Sequence, residues 1–306
     1  LLIVLGLCLA IFGLAFLAST LMGLHLIYGL ALGATSVGLP LAVLKETGRL
    51  RTPLGQGVIV IGSVGEFLTV VGMTLFYFAS KYGMSLQLVW GLGKLVGMLA
   101  VAGLTLRLLM AMAWWRPARF SKLVEVRDGS EIGVRAALLL MIAFSTLAVL
   151  AGLESIVGAV VAGALIAVVL RGKEVLEEKL TVVGHGLFIP IFFVVVGMRF
   201  DPGEISMPGL AAAGQLLLAA FVVRVLPCLA LLRQGLGVRD MLGTASLLSA
   251  PLTLVVAISA IGVDLGVLQQ DGKSILIILA VASGLVFPVL FRLIAAVGAD
   301  PRVRPA

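Results

Sequence analysis

Charge is what this sequence has least of. Only 12% of its 306 residues are Asp, Glu, Lys or Arg, where a soluble domain carries about a quarter. With a mean hydropathy of +1.22 and 61% hydrophobic residues, this scarcity excludes a soluble globular domain and indicates a polytopic membrane protein. Cysteine is nearly absent as well. Cys8 and Cys228 both lie in apolar runs, which argues against a disulfide framework and reads as small lipid- or core-facing residues. There are two histidines, His25 at a membrane boundary and His185 at the start of a span. No Ser-His-Asp, metal-ligand or phosphate-loop pattern sits in a plausible place, so nothing argues for an enzyme, a cofactor or a resident metal. The net charge of +7 would suggest a nucleic-acid partner in a soluble protein. Here the positive residues sit in short loops and report membrane topology instead. The opening Leu-Leu-Ile-Val has no initiator Met and no charged stretch before it, so it reads as entry into the middle of a hydrophobic segment rather than as a signal peptide.

What is present is apolar runs. Ten approach spanning length: 1–19, 26–44, 57–79, 86–111, 134–151, 155–170, 181–198, 207–232, 240–262 and 274–297. Each is near the ~20 residues that a bilayer-crossing helix needs. The pattern predicts an all-α protein of about ten transmembrane helices. The nearly continuous stretch 134–170 divides at Gly152-Leu153-Glu154-Ser155, which predicts a tight hairpin.

Ten spans make the loops alternate between two sides, and the loop charges test that count. One side holds Lys45, Arg49 and Arg51; Arg116, Arg119, Lys122 and Arg127; Arg171, Lys173 and Lys179; Arg233 and Arg239; and Arg292, Arg302 and Arg304. The other holds only Lys81, Arg199 and Lys273. Fifteen against three makes the first side cytoplasmic and puts the C-terminus there, in the cell (inner or plasma) membrane. The longest loop, 112–133, mixes Trp114, Trp115 and Phe120 with Arg116, Arg119 and Lys122. It reads either as a solvated basic loop with an aromatic belt or as an interfacial segment.

Two spans carry breakers. Run 26–44 contains Gly33, Thr35, Ser36, Gly38 and Pro40; run 240–262 contains Gly243, Thr244, Ser246, Ser249 and Pro251. Proline removes a helix donor and clashes with the preceding turn. Unwound backbone at membrane depth is tolerated only where it is buried in protein or lines a cavity. A pair of interrupted spans at corresponding positions of two halves points to a transport site. Here they are the middle members of spans 1–3 and 8–10. Those triplets start on opposite sides of the membrane, so they form an inverted repeat.

Between these spans lies run 57–79 with Glu66 near its middle. A carboxylate at that depth costs roughly 2.5 to 3.5 kcal/mol on insertion scales. Ser63, Glu66 and Thr69 are spaced by three and share one helix face. Two bases also lie inside spans, Lys94 and Arg224. Lys94 can reach an interface by snorkelling. Arg224 holds a fixed charge, which would offset a half-helix dipole or pair with Glu66. A carboxylate in a wet cavity takes either a proton or a hard monovalent cation. Hydroxyls such as Thr35 and Ser36 and freed carbonyls would supply further oxygen ligands.

Residues 184–201, GHGLFIPIFFVVVGMRFD, resemble the monovalent cation/proton antiporter superfamily, which has the sodium/hydrogen exchanger fold. The likeness is to its Kef-like cation:proton antiporter-2 branch. GLESIVGAVVAGALIA at 152–167 and GATSVGLPLAVLKETGRLRTPLGQ at 33–56 add to the likeness. The resemblance implies two discontinuous crossing helices, interrupted near Pro40 and near Ser249 and Pro251. It implies a first core repeat at 1–79, a linker helix at 86–111, scaffold or dimer-type helices at 134–200, a second, inverted core repeat at 207–297 and a short cytoplasmic tail at 298–306. Glu66 falls on the essential carboxylate of that family, Arg224 on its opposing base and Lys94 near a basic position common in the branch. The chain departs from the pattern in having Glu where relatives have Asp, and Gly65 where they have Asp, Asn or Gln. About three N-terminal spans, often used for homodimerisation, and a nucleotide-binding tail are not in this sequence. The expectation is Na⁺ or K⁺ exchange for H⁺ by alternating access. With one acid in the site, that exchange would be one-for-one and electroneutral. The rivals are a sodium-coupled solute symporter on the same scaffold and a non-transporting sensor or assembly subunit.

Overall fold

A computed structural model describes residues 2–83, 86–115, 131–153, 155–169, 174–198 and 207–296. The described residues contain helices and turns and no strand. In chain order the helices are α1 (Leu2–Leu21), α2 (Leu26–Gly33), α3 (Gly38–Glu46), α4 (Pro53–Tyr82), α5 (Leu86–Trp115), α6 (Ile132–Leu150), α7 (Ser155–Val169), α8 (Glu174–Val183) and α9 (Ile189–Met198). They continue with α10 (Met207–Cys228), α11 (Val238–Leu248), α12 (Leu252–Asp264) and α13 (Gln270–Ala296). A π-helical turn, Gly184–Phe188, joins α8 to α9, and a 3₁₀ segment, Leu229–Gln234, extends α10.

Among the described residues, eight helical stretches are long and apolar enough to cross a bilayer, counting α2–α3 and α11–α12 as one each. The remaining two apolar runs are α7, with 15 residues, and α8–α9 with its π-helical turn. The chain is thus an all-α, multi-pass membrane protein. α5 runs on to Trp115, past the expected end at 111, with Trp114 and Trp115 exposed. The rest of the basic loop, 116–130, and the tail, 297–306, lie outside the described residues.

The chain divides into two compact units, Leu1–Met73 with Phe200–Ala306, and Thr74–Arg199. In the first, α1 and α2 pack as an antiparallel hairpin. The rings of Phe12 and Phe16 lie over Gly33 and Gly29. A Cβ on Gly29 would meet Phe16 Cδ1 at 2.6 Å, and one on Gly33 would meet Phe12 Cδ1 at 2.7 Å. Small residues one turn apart let membrane helices approach this closely. α10 packs on α1, α2, α11 and α13. Phe221 and Phe287 stack across the α10–α13 contact, with centroids 5.6 Å apart.

The two broken spans run antiparallel. α2 packs on α12 while α3 packs on α11, so the first half of each lies beside the second half of the other. They are the most buried of the eight: 61% of the apolar stretch in 26–46 and 67% of that in 238–264 is buried, against 33% for α1. Burial in protein is the condition for opening backbone at membrane depth.

In the second unit, α6 and α7 form the hairpin. Gly152 has φ +76° and Leu153 N–H donates to Ala148 O at 2.8 Å. This is a left-handed glycine cap that satisfies the last carbonyls of α6. Ala102, Phe144, Ala162 and Leu165 join α5, α6 and α7 in one apolar cluster.

Candidate functional site

The first break follows from its prolyl and small residues. Pro40 sits in the first turn of α3, where a missing N–H costs nothing, and its ring disfavours continuing the helix backward. The chain leaves helical geometry after Gly33 and re-enters it at Gly38. That opening orphans carbonyls at the end of α2 and N–H groups at the start of α3. Their partners come from the break itself, α4 and α10.

From α4, Glu66 Oε2 accepts a hydrogen bond from Val37 N–H at 3.1 Å. The carboxylate therefore lies at the N-terminal, dipole-positive end of α3, where an anion is favoured. One turn on, Thr69 Oγ1 accepts from Thr35 N–H at 3.2 Å and donates to Gly65 O at 2.7 Å. Thr35 Oγ1 donates to Gly33 O at 3.2 Å. Thr35, Ser36 and Thr69 are buried; Glu66 is half-buried; Ser63, one turn before it, is exposed.

From α10, Arg224 reaches the opposite end of the break. Its side chain is wholly buried. Nη1 donates to Ala220 O at 2.7 Å and Nη2 donates to Ala34 O. A cation here faces the dipole-negative end of α2. Arg224 is thus neither snorkelling nor ion-paired with Glu66. The ion pairs among the described residues are Arg49–Asp240, Lys179–Glu131 and Arg292–Glu46. Nε of Arg224 has no hydrogen-bond partner among the described residues. Lys94 belongs to the second unit, on α5, where its Nζ lies 3.6 Å from the place a Cβ on Gly152 would take.

The second break spans Ser249–Pro251, with Pro251 immediately before α12. Ser249 Oγ donates to Ala245 O at 2.7 Å and Ser246 Oγ to Phe287 O at 2.8 Å. The two breaks meet beside α4. A Cβ on Gly62 would lie 3.2 Å from Val37 Cγ2 and 3.7 Å from Leu248 Cδ2. Gly62 is one turn before Glu66.

The arrangement brings Glu66, Thr69, Thr35 and Ser36 together at the first break, with Arg224 at its other end. Ser63 is on the Glu66 face but exposed, and Ser249 spends its hydroxyl within its own helix. Among the described residues no three His, Cys, Asp or Glu side chains gather. The oxygens gathered at the first break are the Glu66 carboxylate, the Thr35 and Thr69 hydroxyls and main-chain carbonyls, a set that suits hard cations. Sequence reasoning did not find Val37 N–H or Ala34 O, because main-chain partners leave no side-chain signal. Gly62 and Gly65, on the side of α4 that meets the break, were the available sign of a close approach. His25 caps α2, its Nδ1 accepting from Ile27 N–H at 3.3 Å.

Comparison with known proteins gives the family of the chain. Residues 1–296 match the sodium/hydrogen exchanger transmembrane family, and the chain belongs to it. Among similar proteins is YjbQ of Bacillus subtilis (strain 168), whose name places it with the Na⁺/H⁺ antiporters. It is 29% identical over 266 residues, covering 86% of this chain and 41% of that protein. An Na⁺/H⁺ antiporter of Enterococcus hirae is 28% identical over 181 residues, 58% of this chain and 45% of that protein. The Na⁺/H⁺-K⁺ antiporter GerN of Bacillus cereus is 26% identical over 278 residues, 86% of this chain and 66% of that protein. These relatives are named as transporters, not enzymes. The chain spans about half the length of the first two and 66% of the third.

Proposed function

We propose that this chain carries the ion pathway of a monovalent cation/proton antiporter, with Glu66 as the carboxylate that proton and cation share. The observation that carries the reading is the Glu66–Val37 hydrogen bond of 3.1 Å at the opened end of α3. As a carboxylate, Glu66 is held by that N–H, and the hydroxyls around it can complete a shell for Na⁺ or K⁺. Protonation cancels the charge that draws the cation, so each species displaces the other. Arg224 keeps the α2 end of the break compensated throughout. The name of GerN, with both Na⁺ and K⁺, supports keeping both ions as candidate cargo.

Alternating access follows if the two antiparallel broken spans present Glu66 to one side of the membrane and then to the other. With Glu66 the single acid at the break, one proton exchanges for one cation and the cycle is electroneutral. The fifteen positive loop residues on one side support reading that side, and the C-terminus, as cytoplasmic. Assembly as a homodimer belongs to the same reading.

The test is reconstitution in proteoliposomes, with Na⁺, K⁺ and Li⁺ gradients compared side by side. Cation-driven proton movement insensitive to an imposed membrane potential is expected. A strong response to potential contradicts one-for-one exchange. Sodium-dependent uptake of an organic anion without proton movement favours the symporter instead.

A further inference from the structure

Gly65 precedes Glu66 and faces the first break. A Cβ at position 65 would stand 2.9 Å from Thr35 Cβ, 3.1 Å from its Oγ1 and 3.2 Å from its Cγ2. Contacts under 3.0 Å are essentially never found around real Cβ atoms, so something would have to move. Thr35 has little room to do so. It is 2% exposed, its N–H is held by Thr69 Oγ1 and its hydroxyl by Gly33 O. Thr69 is itself hydrogen-bonded to Gly65 O. The chain Gly65 O, Thr69 Oγ1 and Thr35 N–H therefore pins the Thr35 side chain against the Gly65 backbone.

We propose that Thr35 is a specificity-determining residue, which fills the space beside Gly65 and so keeps Glu66 the only acidic side chain among the described residues at the break. The inference rests on the reading of Glu66 as the shared carboxylate and extends it, by giving a steric reason why the site holds one acid. It carries a distinctive corollary. The nearest Thr35 atom is Cβ, so shortening Thr35 to Ala leaves the obstruction in place, and only Gly at position 35 removes it. A side chain at 65 is then tolerated with Gly at 35 and rejected with Thr or Ala.

Two readouts test this: the thermal unfolding midpoint in detergent, and cation-driven proton movement after reconstitution. Packing cores resist an added methyl, and G65A is expected to unfold below wild type and to exchange slower by roughly tenfold or more. T35A/G65A should stay low. T35G/G65A should recover the unfolding midpoint relative to G65A, which is the readout that isolates the steric relief from the loss of the Thr35 hydroxyl. T35G/G65D places two carboxylates side by side, and its exchange should respond to an imposed membrane potential. G65A at the wild-type midpoint, or T35G/G65A with a midpoint no higher than that of G65A, overturns the proposal. So does a folded T35G/G65D whose exchange ignores the potential. The stability arm does not depend on what Glu66 does. A failure of the Glu66 reading, seen as normal exchange in E66Q, is therefore distinct from a failure of the Thr35–Gly65 pairing.

Discussion

Arg224 is the largest side chain among those fully buried, and substituting it separates packing from its service to the break. Arg224→Met keeps much of the volume and deletes the guanidinium. Ala220 O sits one turn back in α10 and retains its helical N–H partner, so the carbonyl left without its donor is Ala34 O. Burying an unsatisfied carbonyl costs about 1–3 kcal/mol, and losing a cation at the C-terminal end of α2 adds up to about 2 kcal/mol. Against this stands the relief of a desolvated charge, which can reach several kcal/mol. The Ala34 contact orders an opened backbone, so the first terms are expected to win, for a net loss of at most about 2 kcal/mol. Arg224→Ala makes a cavity as well and adds about 2–5 kcal/mol. Arg224→Lys keeps a charge but not the fork that serves both carbonyls, and should fall between wild type and R224M. Thermal unfolding in detergent, followed by fluorescence-detected size exclusion, gives the order wild type, R224K, R224M, R224A. An R224M protein at or above the wild-type midpoint refutes the reasoning. It would show that the buried charge costs more than the break gains from it.

Thr69→Val is nearly isosteric and removes the acceptor of Thr35 N–H. It should cost about 1–3 kcal/mol and raise the KM for cation more than it lowers the maximal exchange rate, while Thr69→Ser stays close to wild type in both; the readouts are unfolding midpoints and initial rates at varied cation concentration. Glu46→Gln breaks the 2.5 Å pair with Arg292, whose side chains are 62% and 55% exposed. The midpoint should change by less than about 1 kcal/mol equivalent, and a larger loss would assign that pair a role in holding α3 to α13.

Much of the fold was legible because a bilayer imposes length and apolarity on each segment. Among the described residues the ten apolar runs are helical apart from the two breaks, and Pro40 and Pro251 lie at those interruptions. The π-helical turn at 184–188 was not foreseen, because Gly184 and Gly186 lie in it without a proline and the run around them stays apolar until Pro190. The extension of α5 to Trp115 was also missed, because the run was ended at 111, before Met112 and Ala113 and the two tryptophans. At the candidate site, Glu66 stood out by its desolvation cost. What it touches did not stand out, since Val37 contributes only its main chain. Arg224 was visible as a buried base, but snorkelling, pairing with Glu66 and serving a half-helix all remained open. The Ala34 carbonyl that distinguishes them exists only because the helix opens. Ser63 and Thr69 looked equivalent by spacing. They differ because Thr69 faces the break while Ser63 is exposed.

The central claim is that one side chain, Glu66, takes proton and cation in turn. Glu66→Gln keeps the size and can still accept from Val37 N–H, so folding should persist while the titratable charge is lost. Purified wild type and E66Q, reconstituted in parallel and given an outward cation gradient, are compared by a pH-sensitive dye inside the vesicles. The account predicts cation-driven proton movement in wild type and none in E66Q, with matching unfolding midpoints. Wild-type exchange by a folded E66Q would contradict it.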